Sequence, residues 1–243
     1  MNNLVKTTLA GVLLFTSSIY AQDEEAVVDT GWTGTGEFGF VSTSGNTDTE
    51  TLNLKLEFIK EMEQWRHRFT TAALTSSKDG TKDAKRYSAE FQSDRKLSEK
   101  SYLFGAVRWD VDKFGAYDPM QTVTLGYGRQ LMKSDTHELK AEIGLGYREM
   151  EDATTGISSN DAIARFLLDD IWAITPTTAW TNRLLVESGS DNTFTQFNTG
   201  LAVSMSERFA LKFGFELRNN SDIPATVLDK TDTTTTMNLV YNF

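Results

Sequence analysis

The chain has 243 residues, with 24 lysines and arginines against 34 aspartates and glutamates, a formal net charge of −10 and no cysteine. The acidic surplus argues against nucleic-acid binding, which rests on neutralising phosphates. The missing cysteine excludes disulfides, thiol catalysis and thiolate metal sites, and beyond residue 21 no apolar run is long enough for a transmembrane helix.

The first 21 residues read as a secretory signal peptide. Lys6 supplies the positive region, Leu9 to Ile19 the apolar core, and Ala21 the small residue at the cut. The apolar stretch is too short to span a bilayer comfortably, so cleavage is expected. Residues 22–31 then form a short periplasmic lead-in, and residues 32–243 the folded domain.

From there apolar and polar residues alternate in segment after segment, at a spacing of roughly twenty residues. Alternation places every second side chain on one face of a strand. The first segment, Trp32 to Thr43, puts Trp32, Gly34, Gly36, Phe38 and Phe40 on one face, and Ser44 to Asp48 follow as a turn. In the second, Leu52, Leu54, Leu56 and Phe58 alternate with Asn53, Lys55 and Glu57. Trp65, His67 and Phe69 mark the third; Tyr87, Ala89 and Phe91 the fourth; Leu103, Val107 and Trp109 the fifth; Val123, Leu125 and Tyr127 the sixth. Leu139, Ile143, Leu145 and Tyr147 give the seventh. The eighth is ambiguous, because Ala162, Ala164, Phe166 and Leu168 compete with Ile163, Leu167 and Ile171. Trp180, Leu184 and Val186 carry the ninth, Phe197, Leu201 and Val203 the tenth, and Phe209 to Leu217 the eleventh. Thr235, Met237, Leu239, Tyr241 and Phe243 close the set.

The pattern predicts an all-β protein, a single antiparallel transmembrane β-barrel of about twelve strands, with ten as the alternative if the fourth and eighth segments fail. Short connections alternate with longer polar ones such as Ser76 to Lys85, Asp112 to Pro119, Met150 to Asn160 and Asn219 to Asp232. Short periplasmic turns and longer outer loops are the expected asymmetry. A soluble β-sandwich would also alternate. Its strands run nearer five or six residues than ten or twelve, and it has no use for Trp32, Trp65, Trp172, Tyr241 and Phe243 clustered at strand ends, as an interfacial girdle places them.

The stretch Gly39-Phe40-Val41-Ser42-Thr43-Ser44-Gly45-Asn46-Thr47-Asp48-Thr49, followed by Leu52-Asn53-Leu54, resembles the salt-induced outer-membrane protein family of Gram-negative bacteria, a domain of unknown function. The ending Tyr241-Asn242-Phe243 is similar to the signal that the barrel-assembly machinery reads. The resemblance implies an outer-membrane location, with outer-membrane lipid and lipopolysaccharide as surroundings and the assembly machinery as a partner during biogenesis. It brings no reaction, ligand or cofactor.

If the apolar parity faces lipid, the lumen receives Lys55, Arg66, Arg68, Arg108, Lys140, Arg148, Arg165, Arg183, Lys212 and Arg218. Opposing them are Glu57, Glu90, Asp110, Glu142, Asp169, Glu187 and Glu216. Two outcomes stand open. The charges pair and fill a plugged structural barrel, or they line a narrow path and set its selectivity. An enzyme acting on lipid or peptide needs a histidine beside a nucleophile. His67 shares the lipid-facing parity, His137 begins a strand at a turn, and Asp169 and Asp170 project to opposite faces. Asp48 in the first turn, and Glu151, Asp152 and Asp161 around an outer loop, are weak candidates for a divalent cation and read more simply as solvated carboxylates. No metal, cofactor or catalytic residue is assigned, and the oligomeric state is left open.

Overall fold

The computed structural model describes residues 31–43, 48–225, 227 and 229–243. The expected signal peptide, most of the lead-in and residues 44–47 of the first turn lie outside them. Twelve strands follow one another in the described chain: β1 Trp32–Thr43, β2 Thr49–Glu61, β3 Trp65–Lys78, β4 Thr81–Lys96, β5 Ser101–Asp112, β6 Tyr117–Lys133, β7 His137–Asp152, β8 Ser158–Thr175, β9 Thr178–Ser188, β10 Thr193–Ser204, β11 Phe209–Asn220 and β12 Thr231–Asn242. Each pairs antiparallel with its neighbours, and β12 returns to β1 to close the barrel. Closure satisfies every strand edge internally, which a lipid environment demands.

The alternation becomes a radial sorting. On β2, Leu54 and Leu56 are exposed to the outside while Lys55 and Glu57 point inward, and Ile59 is buried. The same parity exposes Phe213 and Phe215 on β11 and Leu125, Ile143 and Leu145 on β6 and β7. β8 resolves with Phe166 outward and Ile163 and Leu167 buried inside, so twelve strands stand and ten do not. At the end where β1 starts and β12 stops, Trp32, Trp65, Trp172, Trp180, Phe209 and Phe243 ring the outside. Phe40, Tyr87, Trp109 and Tyr147 form a second band nearer the other end. Two aromatic bands flanking an apolar belt are the outer surface of a membrane-spanning barrel.

The connections differ from expectation. Ser76 to Lys85 is not a long loop. β3 runs to Lys78 and β4 starts at Thr81, joined by Asp79-Gly80 with φ of 51° and 75°. Positive φ at both positions is what a two-residue hairpin turn requires. Much of Asp112 to Pro119 and Met150 to Asn160 is also strand. Around the Asp79-Gly80 turn, Lys78 to Asp83 are exposed at every position, so both faces meet water and strand persists there without alternation.

Inside, β6 and β7 present glycine where other strands present long side chains. A Cβ at Gly126 would strike the Phe104 ring and the backbone of β7, and one at Gly128 would strike Tyr102. The bare wall lets Tyr102 and Phe104 of β5 lie against it, where both are buried.

Candidate functional site

The expected lumenal charges all point inward, and most are tied into ion pairs. Several pairs cross the barrel instead of joining adjacent strands. Arg86 on β4 binds Glu216 on β11, and Arg108 on β5 binds Glu187 on β9. Arg218 on β11 lies 3.5 Å from Asp110 on β5, and Arg108 is 2.9 Å from the same carboxylate. Arg183 on β9 reaches Glu90 on β4 at 3.5 Å and Asp169 on β8 at 3.3 Å. These bridges connect β4 and β5 to β9 and β11, so they run as a wall through the lumen.

The wall divides two unlike halves. On the side of β5 to β9 the interior is solid. Met120, Met150, Leu167, Leu185 and Phe194 make an apolar cluster within the barrel, and Arg108 and Arg218 lie over the Phe194 ring at 4.9 and 5.0 Å. Arg165 binds Glu142 at 2.6 Å while stacking on Phe104. Tyr102 and Gln92 also donate to Glu142, and Arg66 pairs with Asp94. Arg148 is wholly buried, held by Asp161 at 3.1 Å and by the backbone oxygens of Glu187 and Asn192. A void there beside Arg108, Arg165 and Glu187 measures about 10 Å³, near the minimum that admits one water.

The other half is open. A cavity of about 350 Å³ runs along β1 to β4 and β9 to β12, touching β2 from Asn53 to Ile59 and β12 from Thr234 to Val240. Its wall carries eight basic side chains (Lys55, Arg68, Arg86, Arg108, Lys140, Arg183, Lys212, Arg218) and six acidic ones (Glu37, Glu57, Glu90, Asp110, Asp169, Glu216). Glu37 accepts from Lys212 at 2.8 Å and from Asn238 at 3.0 Å, and Lys55 stands 3.9 Å away.

Reading charge by charge from the sequence missed Glu37, Arg86 and Asp94 and gave Asp161 to an outer loop, although all four obey the inward parity. It also missed the inward apolar residues, whose chemistry alone says lipid. Of the cation candidates, Asp161 faces inward onto Arg148, while Asp152 accepts the N–H groups of Thr154 and Thr155. The two do not converge. In the β5–β6 connection Lys113 donates to Asp118 at 2.7 Å, a bond that raises its pKa above the ordinary lysine value.

The histidines lie on the outer face. His67 is stacked between Trp65 and Phe91. His137 reaches Asp170 through Nε2 at 2.6 Å, a pairing of residues 33 apart that the sequence did not reveal. Asn182 donates to the other oxygen of Asp170, and the Thr199 hydroxyl donates to Asn182. The Ser134 hydroxyl engages only the backbone of His137 among the described residues.

A family model described as "Protein of unknown function, DUF481" matches residues 36–243. The chain belongs to this family. A relative from Escherichia coli (strain K12), the uncharacterized protein YdiY, is 27% identical over 222 residues, covering 90% of this chain and 86% of its own. Among solved structures, an outer-membrane channel from Pseudomonas putida F1 superposes with a TM-score of 0.53 at 11% identity, covering 93% of this chain and 100% of that one. The NanC porin superposes with a TM-score of 0.50 at 8% identity, covering 87% and 98%. At these identities the structural likeness is one of fold.

Proposed function

We propose that this protein is a passive outer-membrane barrel that conducts small solutes or ions along the open half of its lumen, with a mild preference for anions. The observation that carries this reading is the lengthwise polar cavity, whose wall holds two more basic than acidic side chains. Charged rings of this kind set selectivity in channels. The channel and porin of similar fold add support by analogy of fold alone. The Gram-negative outer membrane is the location such a barrel implies, reached through the assembly machinery by way of Tyr241 and Phe243.

The second reading is a structural barrel that serves the envelope under salt stress, and the bridges across the lumen favour it. Planar-bilayer recording of the purified protein separates the two. Discrete steps are expected, with a reversal potential displaced towards chloride. Arg183→Glu should move that potential towards cations, since it reverses a charge on the cavity wall. Silence across a wide voltage range would leave the structural reading standing.

Catalysis is no part of this proposal. His137 and Asp170 lie within hydrogen-bond distance, but among the described residues no hydroxyl meets the imidazole ring to act as nucleophile. Phospholipid or peptide hydrolysis abolished by His137→Ala would overturn the proposal.

A further inference from the structure

We propose that Arg68 and Glu57 form a binding site for a small zwitterion, with the solute's carboxylate on the guanidinium and its ammonium on Glu57. The proposal rests on the reading of the lumen as a solute path. It starts from an exception to the pairing rule inside the barrel. Arg86, Arg108, Arg183 and Arg218 on the cavity wall each have a carboxylate within ion-pair distance. Arg68 lines the same cavity, yet it makes no hydrogen bond or ion pair to any described residue, and its Nε is buried without an acceptor. Such a donor is costly to leave unmet unless something else meets it.

Glu57 is the complementary exception. Its hydrogen bond among the described residues is a long one, 3.4 Å from the Thr70 hydroxyl, and it has no cation within ion-pair distance among them. The register sets the two groups side by side. Glu57 lies opposite Thr70, and Arg68 lies opposite Ile59, so they are diagonal neighbours on the inner face of β2 and β3. Diagonal positions are roughly 7–8 Å apart. Of the carboxylates around Arg68, Glu57 acts on its charge most strongly, followed by Asp169.

That environment selects the ligand class. A plain anion on Arg68 would sit beside the carboxylate of Glu57, and a plain cation on Glu57 would sit beside Arg68 and within the field of Lys55. A molecule bearing both charges, a few bonds apart, answers both and leaves the local balance unchanged. Charge-assisted bonds of this kind are the strong ones. Size permits it, since about 350 Å³ holds on the order of ten waters. An α-amino acid without a bulky side chain is the chemical class that fits.

The test is calorimetric titration of the full-length barrel in detergent with glycine, with acetate and methylammonium as single-charge probes. Saturable binding of glycine is expected, with acetate and methylammonium at least tenfold weaker. Arg68→Gln and Glu57→Gln should each weaken glycine at least tenfold. The double exchange Arg68→Glu with Glu57→Arg should restore it, because a zwitterion can turn around in a reversed site. Different migration of boiled and unboiled protein on gels confirms that each variant has folded. Acetate binding as tightly as glycine would replace the proposal with a simple anion site. Undiminished glycine binding in Arg68→Gln, or none in the unaltered protein, would also overturn it. Conductance reports separately: chloride steps without glycine binding defeat only this inference, and glycine binding by a silent barrel defeats only the channel.

Discussion

Arg148 shows how heavily single side chains count inside this barrel. It is fully buried, and its guanidinium ties β7 to Asp161 on β8 and to backbone oxygens of Glu187 near the end of β9 and Asn192 just before β10. Removing one partner of a buried ion pair leaves the other charge unmet, at about 3–5 kcal/mol. Arg148→Ala should therefore lower the urea midpoint of the folded barrel in detergent, followed by tryptophan fluorescence. Lys113→Ala, which removes an exposed ammonium from a connection, should lower it far less. Equal midpoints for the two variants would show that water enters the packed half and solvates Asp161. Parity was enough to place Arg148 in the lumen. Its partners depend on which strands face each other across the barrel, and alternation carries no information about that. The same limit hid Phe194, an apolar residue that belongs inside because two arginines lie against its ring.

Among the strands, the seam between β1 and β12 is the short one. Four residue pairs join it, from Thr35–Asn242 to Phe38–Leu239, against twelve between β1 and β2. Phe243 extends the seam with two backbone hydrogen bonds to Gly34, at 2.8 and 2.9 Å. Its ring lies over Gly34, where a Cβ would collide with it, and meets Phe58 at 5.7 Å and Tyr241 at 5.9 Å. The terminal aromatic therefore closes the barrel as well as resembling an assembly signal. Deleting Phe243 should leave unfolded precursor in the periplasm, seen as a heat-insensitive band on gels. Gly34→Leu keeps Phe243 as a signal but displaces its ring, and should slow assembly less. Normal insertion of both variants would mean that neither the signal nor the seam matters. Strand existence and parity were readable from sequence here, because lipid on one face and water on the other force a period of two. Strand length beyond the membrane was not, as at Ser76 to Lys85, because water on both faces removes the constraint.

For the whole molecule the governing fact is that two solvents meet the two faces of one sheet, so neighbouring residues have opposite tolerances. Phe213 and Lys212 make the comparison within a single strand. Phe213 is 49% exposed, paired across the sheet with Leu201 and Met237 on an apolar outer surface. Lys212 points inward and holds Glu37 at 2.8 Å, but Glu37 keeps Asn238 and has Lys55 nearby. An arginine on the lipid face costs about 2–4 kcal/mol at the midplane and less towards the interface. Lys212→Ala removes one of several partners in a polar lumen that water can reach. Phe213→Arg should therefore reduce the heat-modifiable, membrane-inserted fraction well below that of Lys212→Ala, in cells and in refolding into vesicles. The gap should be wider in thicker bilayers, where position 213 lies deeper in hydrocarbon. If the two variants assemble equally well, the exposed apolar belt does not face lipid. If Lys212→Ala is the worse of the two, the inner and outer faces have been exchanged, and with them every residue assigned to the channel.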